Sequence, residues 1–242
     1  MSFKIYFENG FLQKAVDRAK IVAFDMNGLI VDDEPVQHES VNRALHSTGL
    51  HITENYWIEH CVGKRADEYF TAILEEGGSN STPAIISRLV AKKNRLYREL
   101  VVKKVHDLVR PGVPEFIDYL TEVKRTPLAL CTSAHPSEID AILGKGGLNL
   151  KGRFAHLLSG LDVTKSKPDP ETYRALAVVA GCDPASCLVF EDSGLGVQAA
   201  VEAGMVCIAV PNRFTAHHQF NGAFAVIETL NPDAGLVETT ST

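Results

Sequence analysis

The sequence of 242 residues lacks a Cys-x-x-Cys pair, an excess of basic residues and any long apolar run. Its five cysteines are odd in number, and those near strand-like runs are expected to be reduced core thiols. The net charge of −6 does not favour binding to nucleic acid or to an anionic membrane. No apolar run approaches the ~20 residues of a membrane span, and charged residues interrupt the first 20 positions, unlike a signal peptide. These absences predict a cytoplasmic protein without nucleic-acid or membrane partners, and a monomer is the default.

An apolar run over residues 21–28 ends on a carboxylate and then turns at a glycine. This pattern is typical of a short buried strand with Asp25 at its carboxyl end. One interpretation is that Asp25 caps the following turn, as aspartate often does. The other is that Asp25 lies at the edge of an open α/β sheet where ligands bind.

The remainder of the chain predicts an α/β fold, because strand-like runs alternate with helical patterns in the manner of a parallel sheet covered on both faces. After the first strand, as far as about residue 106, the pattern is helical with a few breaks at glycine and proline, which predicts an inserted helical domain. The polar C-terminal tail is expected to be frayed. The sequence predicts a discontinuous core of residues 20–37 and 107–230 and a helical insertion of residues 38–106. An N-terminal extension, 1–19, and a C-terminal tail, 231–242, flank them.

Polar residues stand at four strand or loop ends that are expected to meet along one edge of the sheet: Asp25, Thr132, Lys167 and the pair Glu191-Asp192. Phosphoryl transfer needs a nucleophile, positive groups around the phosphate oxygens and a divalent cation, and these residue types can supply all three. Each residue taken alone also has an ordinary explanation, as a turn hydroxyl, a solvated charge or a helix cap. Their order and placement together favour a phosphoryl-transfer site that binds Mg²⁺.

Four motifs carry a resemblance to a known family: Phe-Asp-Met-Asn-Gly at 24–28, Cys-Thr-Ser at 131–133, Ser-Lys-Pro-Asp-Pro at 166–170 and Phe-Glu-Asp-Ser-x-x-Gly at 190–196. Over residues 20–230 the chain resembles the haloacid dehalogenase superfamily, in the branch that contains β-phosphoglucomutase and sugar-phosphate phosphatases. The resemblance implies a Rossmann-like core with a helical cap inserted after the first strand, in agreement with the helical block above.

The resemblance also implies roles for individual residues. The catalytic residues that it implies are Asp25, Asn27, Thr132 and Lys167. Mg²⁺ would be bound by Asp25, Asn27 through its backbone carbonyl, Glu191 and Asp192. The substrate would be contacted by Thr132, Ser133, Arg65 in the loop that sets specificity, and Lys93 in the longest cap helix.

Position 27 departs from the family pattern. Related phosphatases and mutases have there a second aspartate that protonates the leaving oxygen and then activates water, whereas this chain has Asn27. A carboxamide cannot act as an acid near neutral pH, and losing a general acid–base group typically removes ~10²–10⁴ in rate. Asn27 could be an engineered trap or a natural variant. In a natural variant another group could carry the proton, and the nearby candidates are Asp32, Asp33, Glu34, Gln37 and His38.

The function that the sequence favours is a Mg²⁺-dependent phosphatase acting on a small phosphorylated metabolite, such as a sugar phosphate, through an aspartyl phosphate. A β-phosphoglucomutase-like phosphotransferase is less favoured, because that reaction needs an acid–base group at position 27 in both half-reactions. An impaired binder of a phosphorylated metabolite stays open. A haloacid dehalogenase would need no Mg²⁺, which the intact Glu191-Asp192 pair argues against. A phosphonatase would need a Schiff-base lysine in the cap, for which only Lys64 and Lys93 are loose candidates.

Overall fold

The computed structural model describes residues 10–231 and the backbone of residues 238 and 239. Its strands are β1 Ile21–Phe24, β2 Leu128–Cys131, β3 Phe154–Leu158, β4 Cys187–Glu191, β5 Val206–Ala209, β6 Ala225–Ile227 and β7 Glu238–Thr239. Its α-helices are α1 Phe11–Arg18, α2 Glu34–Leu45, α3 Glu54–His60, α4 Ala66–Glu76, α5 Pro83–Val101, α6 Val105–Leu108, α7 Val113–Asp118, α8 Pro136–Leu143, α9 Glu171–Ala180 and α10 Gly194–Glu202.

The strands form one sheet in the order β3-β2-β1-β4-β5-β6-β7. Strands β1 to β6 run parallel, and β7 pairs antiparallel with β6. Every residue of β1, β2 and β4 is buried, which explains why these strands read as continuous apolar runs: both faces of a parallel sheet are covered. The α/β, Rossmann-like fold expected from the sequence is therefore confirmed.

Alternate residues of β1 enter two separate hydrophobic clusters. Val22 and Phe24 belong to the cluster on one face, whereas Ile21 and Ala23 belong to the cluster on the other. The Phe24 ring stacks on Phe190 of β4 with ring centroids 5.4 Å apart. This two-sided packing fixes the end of β1, and with it the direction in which Asp25 leaves the sheet.

Helices α2 to α5 lie between β1 and β2 in the chain, where the sequence predicts a helical block. They share a third hydrophobic cluster, which includes Val41, Trp57, Phe70 and Leu89. Pro83 opens α5 at a position where its missing N–H is not needed. The division into a core and a cap with bounds at 38 and 106 stays a prediction.

Several local expectations differ from the structure. Helix α7 ends at Asp118, and the chain continues as a π-helical turn, Tyr119–Val123, which no periodic pattern in the sequence predicts. Strand β6 was missed, because three residues are too few for a periodic pattern. The tail 231–242 lies mostly outside the described residues, but the backbone of Glu238–Thr239 pairs with β6, so the expectation of a frayed tail is wrong there. Among residues 10–231 no helix is long and apolar enough to cross a membrane.

Candidate active site

A cleft of about 140 Å³ opens where the strands of the central sheet end and the inserted helices face them. Most of the residues that the sequence singled out lie in its wall. These are Asp25, Asn27, Arg65, Lys93, Thr132, Ser133, Lys167 and Asp192. The parallel strands β1, β2 and β4 thus deliver their polar ends to one place, as the sequence predicts.

Lys167 joins two buried carboxylates at the floor of the cleft. Its Nζ donates to Asp25 Oδ1 at 2.6 Å, to Glu191 Oε1 at 2.5 Å and to the Cys131 carbonyl oxygen at 2.9 Å. Burial lowers the pKa of Lys167, but Asp25 and Glu191 raise it by more, so its ammonium stays charged. Burial raises the pKa of Asp25 against the opposing effect of Lys167. The group best placed to act as a nucleophile is therefore held beside a permanent positive charge.

Glu191 is fully buried, and protein donors occupy both of its carboxylate oxygens. Oε1 accepts from Lys167 and from the Tyr173 hydroxyl at 2.8 Å. Oε2 accepts from the backbone N–H of Asp192 at 3.1 Å and from the Ser193 hydroxyl at 3.2 Å. Glu191 does not line the cleft. Its contacts orient Lys167 and the turn that carries Asp192.

Asp192 follows β4 and lines the cleft, and one of its carboxylate oxygens accepts a hydrogen bond from Asn212. Asn212 Nδ2 donates to Asp192 Oδ2 at 2.8 Å, and it also donates to the Gly28 carbonyl oxygen at 3.1 Å. Burial raises the pKa of Asp192 well above its usual range, and the charges of Glu191 and Asp25 add to that effect. Gly28 has φ +79°, and a Cβ there would lie 2.1 Å from Asp192 Oδ2. Only glycine lets the turn after β1 pass so close to Asp192.

The side chain of Asn27 is held by a buried carboxylate. Asn27 Nδ2 donates to Asp33 Oδ2 at 2.7 Å, and the same oxygen accepts from the Tyr97 hydroxyl at 2.5 Å and from Gln37 Nε2 at 3.0 Å. Asp33 is fully buried, and burial raises its pKa although the three donors lower it. The Asn27 amide nitrogen is thereby committed to Asp33, and its oxygen faces the Thr132 hydroxyl at 3.4 Å.

The two residues between β1 and β2 that are expected to contact substrate are engaged with protein groups. Lys93 Nζ donates to Glu138 Oε1 at 2.9 Å in an ion pair in which both side chains are 4% exposed. Arg65 Nε lies 3.2 Å from Asp67 Oδ1, and its NH1 donates to the Thr164 carbonyl oxygen at 3.4 Å. Sequence reasoning missed Glu138, because its partner Lys93 lies 45 residues away and no local pattern joins them.

The charges around the cleft favour a divalent cation. Asp25, Glu191 and Asp192 are buried with the ammonium of Lys167, and the Arg110 guanidinium is near enough to lower the pKa of Asp192, which leaves one negative charge when all are ionised. Within the described ranges no cluster of three or more histidine, cysteine, aspartate or glutamate side chains is arranged to hold a metal. Two carboxylates and a backbone carbonyl nevertheless fit Mg²⁺, which commonly takes one or two protein carboxylates and keeps several waters. The residues present therefore fit a magnesium ion.

The geometry agrees with comparisons to known proteins. A family model described as haloacid dehalogenase-like hydrolase matches residues 19–204. A phosphorylated carbohydrates phosphatase from Thermotoga maritima is 31% identical over 208 residues, which cover 86% of this chain and 89% of that protein. The plasmid-encoded protein CbbY from Cupriavidus necator is 30% identical over 222 residues, which cover 87% of this chain and 85% of that protein.

Among solved structures, CbbY from Rhodobacter sphaeroides in complex with phosphate superposes with a TM-score of 0.78 at 21% identity, covering 88% of this chain and 95% of that one. A β-phosphoglucomutase from Clostridium difficile gives a TM-score of 0.76 at 20% identity, covering 88% and 92%. At these identities the superpositions establish a shared fold.

Proposed function

The chain belongs to the haloacid dehalogenase-like hydrolases, and from this premise we propose that it is a Mg²⁺-dependent phosphatase of small phosphorylated sugars. The reaction would pass through an aspartyl phosphate on Asp25. One observation carries the proposal: the Asp25 carboxylate lies at the end of the interior strand β1 in the wall of a cleft, 2.6 Å from the buried ammonium of Lys167.

The residues around Asp25 have separate tasks in this reaction. Asp25 attacks phosphorus, and the bond to the leaving oxygen breaks. Lys167 and the Thr132 hydroxyl hold phosphate oxygens as negative charge moves among them, and Ser133 lies beside them in the cleft wall. Because Lys167 is already fixed by Glu191 and the Cys131 carbonyl, little reorganisation is needed when phosphate arrives.

Asp25, Asp192 and the backbone carbonyl of Asn27 would hold the magnesium ion. When bound, Mg²⁺ neutralises charge between the carboxylates and the substrate phosphate. Glu191 was included among the metal ligands on sequence grounds, but its two oxygens are occupied by Lys167, Tyr173 and the Asp192-Ser193 turn. We therefore assign Glu191 to the support of the site.

The relatives motivate a sugar phosphate as substrate. The Thermotoga relative is named a phosphorylated carbohydrates phosphatase, and a Rhodobacter sphaeroides CbbY variant has been crystallised with xylulose 1,5-bisphosphate. Arg65 and Lys93 line the cleft on the side of the inserted helices, which suits the polar end of such a molecule. We propose that residues 38–106 form a cap that closes over the substrate and excludes bulk water.

The test is mass spectrometry of the intact protein after incubation with Mg²⁺ and acetyl phosphate, followed by acid quenching. We expect one phosphoryl group on a peptide containing Asp25, and turnover of at least one sugar phosphate in a panel. Asp25→Asn should lose both, whereas Asp107→Asn at an exposed position should keep both. Sugar-phosphate binding without adduct or turnover would contradict the proposal and favour a binding protein.

A further inference from the structure

We propose that Glu34 is the general acid and base of this reaction, in the role that the amide of Asn27 cannot fill. The inference rests on the proposed phosphatase function and adds a residue to it. Glu34 is the first residue of α2, directly after the turn that leaves β1, and it lines the same cleft as Asp25 and Asn27.

The Glu34 carboxyl group is anchored by one oxygen and open at the other. The Trp57 indole N–H donates to Glu34 Oε2 at 2.7 Å, which fixes the side chain from the α3 side. Within residues 10–231, Oε1 has no hydrogen-bond partner, and it is not among the fully buried atoms that lack one. Glu34 is 5% exposed in total. A residue so buried with an oxygen left open at a cleft can present that oxygen to a ligand inside it.

The other carboxyl groups of the cleft wall already have partners or other tasks. Glu138 is paired with Lys93 and Gln37. The His135 ring uses only Nδ1 for its contacts with the Ser137 hydroxyl and backbone N–H at the start of α8, and these contacts do not engage Nε2. Asp67 pairs with Arg65 and is exposed. Asp25 and Asp192 belong to the nucleophile and the metal.

Asp33, the nearest alternative along the chain, does not line the cleft. Its Oδ2 is covered by Asn27, Gln37 and Tyr97, and its Oδ1 is buried without a partner. Asp33 acts instead as a positioning residue that keeps the Asn27 oxygen turned toward Thr132.

The surroundings of Glu34 allow it to exchange a proton near neutral pH. Burial raises the pKa of Glu34 to about 8, with Asp33 and Asp32 adding to the rise, while Trp57 and Lys93 oppose it. The other titratable groups whose charges interact with Glu34 are Cys61, Tyr69, Tyr97 and Asp192. A carboxyl group poised near the working pH is suited to both giving and taking a proton.

The proton balance closes over one cycle. In the first step Asp25 forms a bond to phosphorus, the phosphorus–oxygen bond to the sugar breaks, and protonated Glu34 gives its proton to the departing oxygen. In the second step ionised Glu34 takes a proton from water as the water oxygen attacks phosphorus. The aspartyl bond breaks, and free phosphate, ionised Asp25 and protonated Glu34 result. One carboxyl suffices because the departing oxygen and the attacking water occupy the same side of phosphorus in turn.

The experiment uses Glu34→Gln with p-nitrophenyl phosphate and Mg²⁺, because this leaving group departs without a proton. Phosphorylation of Asp25 should then survive while hydrolysis of the aspartyl phosphate fails. We expect a burst of one nitrophenolate per protein, accumulation of phosphorylated protein, and a steady-state rate reduced by about 10²–10⁴-fold. Glu39→Gln, on the same helix with its carboxylate paired to Arg43 at the surface, should behave as the unmodified protein.

Each other outcome overturns the inference. A Glu34→Gln rate within threefold of the unmodified protein would mean that the proton travels elsewhere. A folded Glu34→Gln protein that loses the burst as well as turnover would make Glu34 a binding residue. If no variant and no unmodified protein is phosphorylated on Asp25, the phosphatase proposal itself fails.

A second variant separates acid–base chemistry from packing. The Trp57 N–H lowers the pKa of Glu34, so Trp57→Phe should raise that pKa. The rise of the dephosphorylation rate with pH, which follows ionisation of Glu34, should then move to higher pH. A loss of rate with an unmoved profile would indicate that Glu34 matters only for packing, and would refute the inference.

Discussion

Replacing Asn27 by aspartate would set two carboxyl groups against each other inside the protein. Asn27 Nδ2 now donates to Asp33 Oδ2 across 2.7 Å, and Asp33 is fully buried. In the variant an oxygen takes the place of the N–H donor. Two ionised carboxylates at that distance would repel by about 6 kcal/mol at an effective dielectric constant of about 20. The structure thus gives a physical reason for an amide at position 27.

The variant can escape most of this repulsion by keeping one proton on the pair, as neighbouring carboxyl groups do. The pKa of the pair in the folded protein then lies above that of an unfolded aspartate. The folded state binds more protons than the unfolded state, so stability falls as pH rises from the unfolded pKa to the raised folded one. We expect Asn27→Asp to lower the free energy of unfolding by about 1–3 kcal/mol near neutral pH, and by less in mild acid.

Urea unfolding of the unmodified protein and Asn27→Asp across mildly acidic to mildly alkaline pH measures this difference. The matched control is Asn27→Asp combined with Asp33→Asn, which leaves one carboxylate and one amide in the pair. In this double variant the extra dependence of the unfolding free energy on pH should be absent. If the single variant unfolds at the same urea concentration as the unmodified protein at every pH, Asn27 is not held by Asp33 in the way described.

Three further predictions concern charge in the cleft. Mg²⁺ should raise the melting temperature of the unmodified protein but not of Asp192→Asn, and equal shifts in the two proteins would place the ion elsewhere. Lys167→Met leaves the buried carboxylates without their ammonium and should cost about 3–5 kcal/mol of unfolding free energy; urea unfolding with an unchanged midpoint would contradict this. Glu138→Gln frees the Lys93 ammonium from its counter-charge and should tighten phosphate binding by about tenfold, equal to ~1.4 kcal/mol; calorimetry showing no change would mean that Lys93 does not reach the ligand.

The sequence predicts the parts of the site that depend on strand ends. Asp25, Thr132 and Asp192 follow apolar strands, and parallel strands bring their ends together whatever the details of packing. Lys167 follows no strand, and its role was predicted from its loop motif through the family resemblance. The apolar runs and helical periodicities also predict the alternation of strands and helices and the helical block after β1, but not the short strands β6 and β7.

What could not be predicted depends on contacts between distant side chains. Tyr97 reaches Asp33 across 64 residues, and Gln37 reaches Glu138 across 101. Nothing in the local sequence distinguishes these side chains from solvated ones on helix surfaces. Such pairings arise only when α2, α5 and α8 are packed, and they decide that Asn27 is oriented while Lys93 is paired with Glu138.

The chain carries a single tryptophan, and its indole N–H rests on Glu34 at the wall of the cleft. Tryptophan fluorescence therefore reports on one position, Trp57 in the wall of the cleft next to Glu34. Binding, protonation of Glu34 or movement of the helices above the cleft would each alter the emission of that one fluorophore. The protein can consequently be followed through its cycle in real time without any attached dye.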